Sequence, residues 1–272
     1  MTPSKDSIVD ATVPSAGRIY DYLLGGHHNF EVDRQAAEGI LAASPFMSKV
    51  MRLQRWCLQD VAHELGVVRG FDTIIDFASG LPTQDHLHLV VPEGTTVIYS
   101  DYDPVVVEYG KQILQDTPNV YFFEADARRP LELLESDNVR KIIGTRRNVG
   151  LVFWGISIFL TDEELIGAAQ QLYHWAGDES CWAFNAQAIG ADTDHPMTQR
   201  LISLYARIGS TLYMRSEERF RELLYPWVPD DRGFISFLDW HGMDESIMTV
   251  EDLEASGPAG SGAGAYLFKQ SA

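Results

Sequence analysis

The chain has 272 residues, of which 45% are hydrophobic and 22% are charged, and its formal net charge is −18. This length suffices for one large α/β domain or for one domain with a helical extension. So acidic a surface repels phosphate backbones and anionic lipids, and we therefore expect neither a nucleic-acid partner nor a membrane partner.

The N-terminal quarter is predicted to be helical. A short helix is expected over residues 15–24, where a serine is placed to cap the start and two glycines follow the end. Two longer helices follow, over residues 32–43 and 46–65. We therefore expect an N-terminal helical extension over residues 1–70, followed by the main region over residues 71–272.

From residue 71 onwards, short apolar strands alternate with helices. The strands are expected at residues 73–77, 96–100, 120–124, 149–154 and 181–186. Their apolar residues are continuous rather than alternating, which is typical of a parallel sheet covered by helices on both faces. A capping box over residues 161–164 begins one of the intervening helices.

The last part of the chain is predicted to be mixed. Helices are expected over residues 197–212 and 216–224, and two late strands over residues 234–240 and 265–269. The run GPAGSGAG at residues 257–264 predicts the turn of a terminal hairpin. With the five earlier strands, these two give a sheet of seven strands in one compact unit.

Two residue pairs bear on disulfides and metals. Cys57 and Cys181 lie far apart in apolar runs, which predicts two buried thiols and no disulfide framework. His86 and His88 form an H-x-H pair without a further ligand at suitable spacing. We interpret that pair as a polar helix face and expect no metal.

The sequence also bears on location. No segment approaches the run of about 18 apolar residues that a membrane span requires. The N-terminal residues MTPSKDSIVDATVPSAG lack the apolar core of a signal peptide. These features predict a soluble cytoplasmic protein.

The first predicted strand runs into a loop of small residues, ASGLPT, preceded by Asp76. Ligands of open parallel sheets bind beyond the carboxyl ends of the strands, so this loop is a candidate site. A dinucleotide site needs G-x-G-x-x-G, whereas this loop has Gly80 alone, no neighbouring lysine or arginine, and acids on either side. Such a loop suits a cofactor with an ammonium and a sulfonium better than a diphosphate.

Acidic residues also end the next two predicted strands. Asp101 follows Gly80 by 21 residues, where a carboxylate can accept both hydrogen bonds of a ribose diol. Asp126 ends the third strand and can accept from an adenine amino group. Asp103 directly precedes Pro104 and is instead predicted as a helix N-cap. Acids at three successive strand ends together favour an adenosine cofactor.

Several motifs carry a family resemblance. D-x-A-S-G-L-P-T-Q, S-D-Y-D-P and E-A-D-A-R resemble the successive motifs of a class I S-adenosylmethionine-dependent methyltransferase. More narrowly, PSAGRIYDYLLGGHHNFEVDRQAAE with GLPTQ resembles the bacterial S-adenosyl methyltransferase family formerly described as a domain of unknown function. The resemblance covers about residues 14–270. It implies a Rossmann-like α/β fold with a mostly parallel seven-stranded sheet, helices on both faces and an N-terminal helical lid.

The same resemblance implies the cofactor S-adenosyl-L-methionine, with S-adenosyl-L-homocysteine as the product. The residues implied around the methionyl part are Asp76, Ala78, Ser79 and Gly80. Those implied around the ribose and adenine are Asp101, Tyr102, Asp126 and Ala127. Relatives usually have glycine where this chain has Ala78, so the backbone φ there decides whether the extra methyl group is tolerated.

Methyl transfer is expected beside the end of the fourth strand, in the segment FWGISIFL. Trp154 and Phe159 are candidate apolar walls there, and Trp154 is also counted among the cofactor-binding residues. Family relatives often have a histidine before the phenylalanine, whereas this chain has Ile158, so no base is carried over to that place. The segment expected to recognise the acceptor contains His195, Tyr205, Arg207, Tyr213 and Arg215.

The catalytic candidates lie in the N-terminal segment. They are Tyr22, His27, His28 and Asn29, within a polar and aromatic group that also contains Tyr20 and Asp33. If the N-terminal helices form a lid, this group lines the active site. In the alternative interpretation, the tyrosines pack between helices and the histidines occupy a solvated loop.

The sequence thus predicts a methyltransferase that acts on an O, N or C atom of a small molecule, such as a secondary metabolite. Two alternatives stay open: an enzyme of the same fold that uses the cofactor for a cyclisation or rearrangement, and a non-catalytic homologue that binds the cofactor. The single-glycine loop disfavours a nicotinamide oxidoreductase. The oligomeric state is not indicated, and a homodimer is one alternative.

Overall fold

The computed structural model describes residues 12–83, 85–242, 248–256 and 262–270. Its N-terminal region is helical, as predicted. The helices are α1 (Ala16–Leu23), α2 (Glu31–Ala43) and α3 (Met47–His63), and α3 continues as a π-helical segment, Glu64–Val68. Within the described residues, no helix is long and apolar enough to cross a membrane.

A central sheet follows. Its strands are β1 (Thr73–Phe77), β2 (Thr96–Asp101), β3 (Val120–Glu124), β4 (Gly150–Phe153), β5 (Cys181–Gln187), β6 (Trp227–Pro229), β7 (Ile235–Ser236) and β8 (Gly262–Lys269). They lie in the order β3-β2-β1-β4-β5-β8-β6, with β7 also paired to β8. Strands β1 to β5 are parallel, and β8 is antiparallel to its neighbours. The predicted fold class is confirmed, with eight strands in place of seven.

Helices cover both faces of the sheet. After β2 they are α4 (Pro104–Leu114), α5 (Pro130–Leu134), α6 (Asp137–Ile143), α7 (Asp162–Trp175), α8 (Pro196–Arg207), α9 (Glu217–Leu224), α10 (Phe237–Trp240) and α11 (Val250–Ser256). On one face, Ile74 and Val97 share a buried cluster with Ile19 of α1 and Leu53 of α3. The N-terminal helices and the sheet are therefore built on a common core.

The alternation of side chains along the strands places the remaining strand residues on the other face of the sheet. Ile75 of β1 and Phe153 of β4 pack with residues of α5, α6, α7 and α9 in a second buried cluster. Because side chains alternate along a strand, Asp76 lies on the face of Ile74, beneath the N-terminal helices. This placement matters for the site described below.

The helix predicted over residues 197–212 is too long. It ends at Arg207, and Gly209 takes a left-handed φ of +78°. A glycine in that conformation ends helices readily because it has no Cβ. Residues 210–215 then continue without helical structure.

The strand predicted over residues 234–240 is also wrong. Only Ile235 and Ser236 pair with β8, and α10 begins at the next residue. Ser236 caps that helix, since its Oγ accepts from the backbone N–H of Asp239 across 3.1 Å. Helix α11 separates β7 from β8, so the two strands are not joined by a direct hairpin. Residues 257–261 of the predicted turn lie outside the described residues.

Candidate functional site

A cavity of about 560 Å³ opens at the carboxyl ends of β1 to β5. The loops that follow these strands form its floor, while α1, α3 and residues 209–214 form its opposite wall. Open α/β sheets bind ligands at this edge, and ligand pockets occupy roughly 300–1,000 Å³. The position and size therefore mark the cavity as the candidate site.

The loop after β1 has two left-handed residues. Gly80 has φ +64°, and a Cβ added there would meet no atom within 4 Å, so the space beside the loop is open. Ala78 has φ +53°, where an L side chain costs roughly 1–2 kcal/mol. Ser79 ties the loop to β2, since its N–H donates to the carbonyl of Ser100 across 2.9 Å. The extra methyl group of Ala78 is thus held in a conformation that favours glycine.

Asp101 ends β2 and lines the cavity. Its Oδ2 accepts from the N–H of Gly80 and its Oδ1 from the N–H of Asp103, each across 3.0 Å. Burial raises the pKa of Asp101 to about 6, and the charge of Asp103 adds to this shift. Tyr102, the next residue, is 60% exposed and also lines the cavity, so its ring is free to contact a ligand.

Asp126 lines the cavity with Ala127, but it also has a partner that the sequence reasoning missed. Nε of Arg128 donates to both carboxylate oxygens of Asp126 across 2.9 Å, and Nη1 of Arg128 reaches Glu164 at 3.2 Å. Although burial opposes the shift, these contacts lower the pKa of Asp126 below its ordinary value. We call Asp101, Asp126, Arg128 and Glu164 the charged end of the cavity.

The loop after β4 forms an apolar wall. Trp154 is buried, its Nε1 donates to the backbone carbonyl of Gln54 across 2.8 Å, and its ring packs edge-on against Trp240. Ile158 and Phe159 line the cavity next to it. The residue before Phe159 thus presents the branched apolar side chain of Ile158, which has no proton to transfer.

The rest of the described lining is largely apolar. We call it the apolar end, and its described lining is Leu23, Phe46, Met47, Val50, Met51, Ile158, Phe159, Met197, Leu201, Tyr205, Leu212, Tyr213 and Met214. Two amides also line the cavity, and the Oε1 atoms of Gln54 and Gln187 are buried without a hydrogen-bond partner. Methionine-rich walls adapt to ligands of irregular shape.

Only some of the residues predicted to recognise the acceptor line this cavity. Tyr205 and Tyr213 do so, and burial raises the pKa of Tyr205 to about 12. Arg215 instead forms a buried ion pair with Asp162 at 2.8 Å. His195 caps α8, since its Nδ1 accepts from the backbone N–H of the residue two positions on. Arg207 is exposed and is not part of the described lining.

Two predicted catalytic residues, His28 and Asn29, belong to a turn around a buried carboxylate. The N–H of His28 and Nδ2 of Asn29 both donate to Oδ2 of Asp21 across 2.9 Å. A Cβ on Gly26 would overlap the same carboxylate, which explains the glycine there. In the described structure, neither His28 nor Asn29 lines the cavity.

The other two predicted catalytic residues also lie outside the described lining. His27 is exposed, and the hydroxyl of Tyr22 lies 3.4 Å from Oε1 of Glu38. Helix α1 turns Tyr20 towards the cavity instead, with its hydroxyl 3.4 Å from the backbone carbonyl of Met51. Catalytic roles for Tyr22, His27, His28 and Asn29 therefore stay predictions without a cavity contact to support them.

A buried arginine holds α1 in place. Nε of Arg18 lies 2.8 Å from Oδ2 of Asp33, and its Nη1 lies 2.8 Å from Oδ2 of Asp103. Asp103 also accepts from the N–H of Val105 across 2.9 Å, which confirms its predicted role as an N-cap. No local pattern in the sequence indicates that Arg18 and Asp103, which are 85 residues apart, form this contact.

A second group of polar residues lies behind the lining, on the face of β1 that α3 covers. Asp76 is 1% exposed, and neither carboxylate oxygen has a hydrogen-bond partner among the described residues. Burial raises the pKa of Asp76 well above its ordinary value, and the nearby charge of Arg55 opposes that shift. Nε and Nη1 of Arg55 likewise have no described partner. The sequence near the loop contained no cation; the fold supplies one from α3.

Tyr99 joins the two histidines to this group. Nδ1 of His86 and Nδ1 of His88 each lie 3.0 Å from the Tyr99 hydroxyl. His86 is fully buried, so its interpretation as part of a polar helix face was wrong. Elsewhere, Cys57 and Cys181 are buried free thiols, as predicted.

Comparisons with known proteins identify relatives over nearly the whole chain. The model of a family described as S-adenosyl methyltransferase matches residues 2–263. A proposed methyltransferase from Thermobifida fusca superposes with a TM-score of 0.84 at 24% identity, covering 99% of this chain and 100% of its own. A DUF574 family protein from Streptomyces avermitilis gives a TM-score of 0.81 at 25% identity, covering 96% and 100%. No curated protein matches the sequence.

Proposed function

The chain belongs to the S-adenosyl methyltransferase family, and on that premise we propose that its acceptor is a small, largely apolar, uncharged molecule. The enzyme uses S-adenosyl-L-methionine, which supplies a methyl group on a sulfonium for displacement by the acceptor atom. The acceptor is proposed to bind at the apolar end of the cavity, beside Trp154 and Ile158. The alternatives drawn from the sequence, a rearrangement or binding without catalysis, are outcomes of the test below.

The residues present fit this cofactor. Beside Gly80 the loop leaves open space, which a ligand can occupy without meeting a side chain. Asp101 has a carboxylate at the cavity surface whose remaining lone pairs can accept from a diol. Tyr102, Asp126 and Ala127 would flank the adenine at the charged end, with Arg128 fixing the Asp126 carboxylate. We propose these residues as the adenosine-binding set.

The observation that carries the proposed acceptor class is the small share of charged residues in the described lining. They are Asp101, Asp126, Arg128 and Glu164, and Arg128 already contacts both Asp126 and Glu164. An ionic acceptor at the apolar end would lose its hydration without gaining a partner there, at a cost of several kcal/mol. An uncharged apolar molecule gains free energy from the same burial.

Two amide oxygens of the lining can each accept a hydrogen bond from the acceptor molecule. Oε1 of Gln54 and Oε1 of Gln187 are buried without a partner, so each can accept from an O–H or N–H group. Both glutamines lie beside the loop that follows β4. Nε1 of Trp154 donates to the backbone carbonyl of Gln54, and the N–H of Gln187 lies 3.4 Å from Oγ of Ser157. An acceptor with one such donor on an apolar body matches these walls.

We propose that the rate of methyl transfer depends mainly on how the cavity orients the acceptor atom. The described lining contains no histidine or lysine, and Tyr205 keeps its proton at neutral pH because burial raises its pKa to about 12. Holding the acceptor atom in line with the methyl group, away from water, can supply a large part of the rate. Acceptor atoms that attack without prior loss of a proton are therefore favoured.

The test is turnover of a panel of acceptors, followed by mass spectrometry. Neutral aromatic amines, whose nitrogen keeps its lone pair at neutral pH, are expected to gain one methylene unit with release of S-adenosyl-L-homocysteine, and neutral alcohols of matched size are expected to react more slowly. Anionic members of matched size are expected to stay unmodified. Exclusive methylation of the anionic members contradicts the proposed acceptor class, and product formed without consumption of the cofactor favours a rearrangement.

A variant pair separates acceptor binding from cofactor binding. Leu201→Arg places a charge at the apolar end and is expected to abolish turnover while S-adenosyl-L-homocysteine still binds. Leu201→Met keeps size and polarity and is expected to retain turnover. Equal loss in both variants would count against an apolar acceptor site at this position.

A further inference from the structure

We propose that Arg215 is a positioning residue for methyl transfer, because it holds together two segments between which the acceptor is proposed to bind. One segment is the loop after β4, which contributes Ile158 and Phe159 to the cavity. The other is residues 209–214, which we call the wall segment. This role rests on the acceptor site proposed above, and it assigns the shape of that site to an arginine outside the described lining.

The wall segment depends on contacts with other parts of the fold. It has no helix or strand, yet each of its residues lines the cavity. The N–H of Tyr213 donates to the carbonyl oxygen of Ile158 across 2.7 Å and joins the wall segment to the loop after β4. Segments outside helices and strands open readily unless buried hydrogen bonds hold them. The position of this part of the cavity is therefore set by a small number of bonds.

Arg215 directly follows the wall segment, and its side chain is only 3% exposed. Nη1 donates to the carbonyl oxygens of Ser157 and Tyr213 across 3.1 and 3.2 Å. Nη2 donates to the carbonyl oxygen of Leu160. One guanidinium group thus bonds to the backbone of both segments.

The carbonyl groups that Arg215 contacts surround the residues at the acceptor site. Ser157 and Leu160 lie immediately before and after Ile158 and Phe159, which both line the cavity. Buried carbonyl groups need a donor, and without Arg215 these groups would have to turn towards water. The bonds therefore fix the backbone from which the apolar side chains project.

Arg215 is itself anchored to two helices behind the cavity. Its Nε donates to Oδ1 of Asp162, the first residue of α7, across 2.8 Å. Its guanidinium carbon lies 5.5 Å from the ring centroid of Tyr213 and 5.8 Å from that of Phe220, a fully buried residue of α9. Contacts of this kind between a cation and aromatic rings are attractive. Both segments are thus held against a fixed point of the core.

A lysine cannot make the same set of contacts. Arginine carries donors on three nitrogen atoms in one plane, whereas lysine carries all its donors on one atom. All three nitrogen atoms of Arg215 are used, for acceptors on four residues: Asp162, Ser157, Leu160 and Tyr213. The role we assign therefore depends on the guanidinium group and not on its charge alone.

The chain offers a matched control. Arg219 also pairs with Asp162, at 2.6 Å, but its side chain is 46% exposed. Its described side-chain hydrogen bonds go to Asp162 and Glu222 and do not reach the loop after β4 or the wall segment. Replacing Arg219 thus removes a cation from the same carboxylate without removing the contacts with the two segments.

The first measurement is hydrogen–deuterium exchange of the full chain saturated with S-adenosyl-L-homocysteine, which requires no acceptor. Arg215→Met is expected to speed exchange in the wall segment, including the N–H of Tyr213, by about tenfold or more, and to leave β1 and β2 unchanged. Arg219→Met is expected to leave exchange in all three unchanged. Unchanged exchange in the wall segment of Arg215→Met overturns the proposal, as does equal acceleration throughout the chain.

The second measurement is turnover of the neutral aromatic amines in the acceptor panel. A displacement of about 1 Å can lower the rate of an oriented reaction about 100-fold, so Arg215→Met is expected to lower kcat/KM for the amine roughly 10- to 100-fold. The affinity for S-adenosyl-L-homocysteine is expected to stay unchanged, and an equal loss of that affinity overturns the proposal. If the native chain methylates no member of the panel, the proposed acceptor class fails, and the exchange measurement still decides whether Arg215 holds the two segments.

A conservative variant completes the test. Arg215→Lys keeps the charge but donates from one nitrogen atom, so it is expected to give intermediate exchange and intermediate turnover, and it serves if Arg215→Met does not fold. Full rescue of both measurements by Arg215→Lys would overturn the requirement for the guanidinium group.

Discussion

Arg18 donates from Nη1 to Oδ2 of Asp103 across 2.8 Å and so joins the first helix to the turn that presents Asp101. The N–H of Asp103 in turn donates to Oδ1 of Asp101. On the helix side, Ser15 lines the cavity and donates its N–H to Asp33, the other partner of Arg18. The wall formed by α1 and the carboxylate proposed to bind ribose therefore belong to one hydrogen-bonded unit.

Removing Arg18 should unfold this unit. Arg18→Met leaves the carboxylates of Asp33 and Asp103 buried without their cation, so we expect a loss of about 3–5 kcal/mol in the free energy of unfolding. Denaturant titration measures the loss. Arg140→Met is the matched control, because its exposed ion pair with Glu135 contributes only about 0–1 kcal/mol. Similar losses in the two variants would contradict a central role for Arg18.

Cofactor binding should weaken in acid. Asp101 has a pKa of about 6, and protonation removes acceptor capacity for the ribose diol, so the affinity for S-adenosyl-L-homocysteine is expected to fall as the pH drops below about 6. The titratable groups that face Asp101 are those of Tyr102 and Asp103, on the same turn, and that of Asp76, on β1. Calorimetry at a series of pH values from about 8 to about 5, which brackets this pKa, measures the change in affinity.

The stability of the free protein should respond to Asp101 with the opposite sign. Its folded pKa lies above the ordinary value of 3.8, so the folded state takes up the proton first. This group therefore adds stability as the pH falls through about 6 and removes it as the pH rises. Asp101→Asn should abolish both trends; a pH-dependent affinity that persists in this variant would assign the titration to another group.

Replacing Ala78 by glycine should relieve backbone strain. The left-handed φ of +53° costs roughly 1–2 kcal/mol for alanine, and glycine loses roughly 0.5–1 kcal/mol of that gain through greater freedom when unfolded. Ala78→Gly is therefore expected to leave stability unchanged or raise it by about 1 kcal/mol, as measured by thermal unfolding. Gln170→Gly on the exposed face of α7 is the control and should cost about 0.5–1 kcal/mol. A loss at Ala78 as large as that at Gln170 would show that no strain is stored there.

The turn around Asp21 should not tolerate a methyl group at Gly26. A Cβ there would overlap the buried carboxylate, which also accepts from His28 and Asn29, so Gly26→Ala is expected to cost about 1–3 kcal/mol. Gly167→Ala in α7 meets no atom within 4 Å and should gain about 0.5–1 kcal/mol. Denaturant titrations of both variants provide the comparison. A neutral Gly26→Ala would contradict the packing described for this turn.

Much of the framework follows from the sequence alone. The first five strands were predicted within one or two residues at each end, because their apolar runs and the turns between them are local signals. The N-cap at Asp103 and the capping box at Thr161 depend on residues three positions apart or fewer, and both formed. The loop proposed to bind the cofactor could be located for the same reason, because its position after β1 depends on neighbouring residues.

The predictions that failed depended on contacts between distant segments. The segment over residues 234–240 has β-prone aromatic residues, but only Ile235 and Ser236 pair with β8, and a serine cap starts a helix at the next residue. The segment GGHHNF was predicted to line the active site, with helix packing and a solvated loop as the alternative. In the structure it folds around Asp21 and fixes the turn between α1 and α2, and the catalytic roles of Tyr22, His27, His28 and Asn29 stay predictions.

The sequence by itself determined the sheet, the family resemblance and the place of the loop proposed to bind the cofactor, because each depends on residues that lie close together along the chain. Only the tertiary structure decided which charges meet at the site. It paired Arg18 with Asp103, and it brought the charge of Arg55 close enough to Asp76 to oppose the effect of burial on the pKa of that carboxyl, whereas the loop sequence after β1 has acids with no cation beside them. Electrostatic interaction depends on distance in space and on burial, and both are fixed only when helix α3 packs on the face of β1.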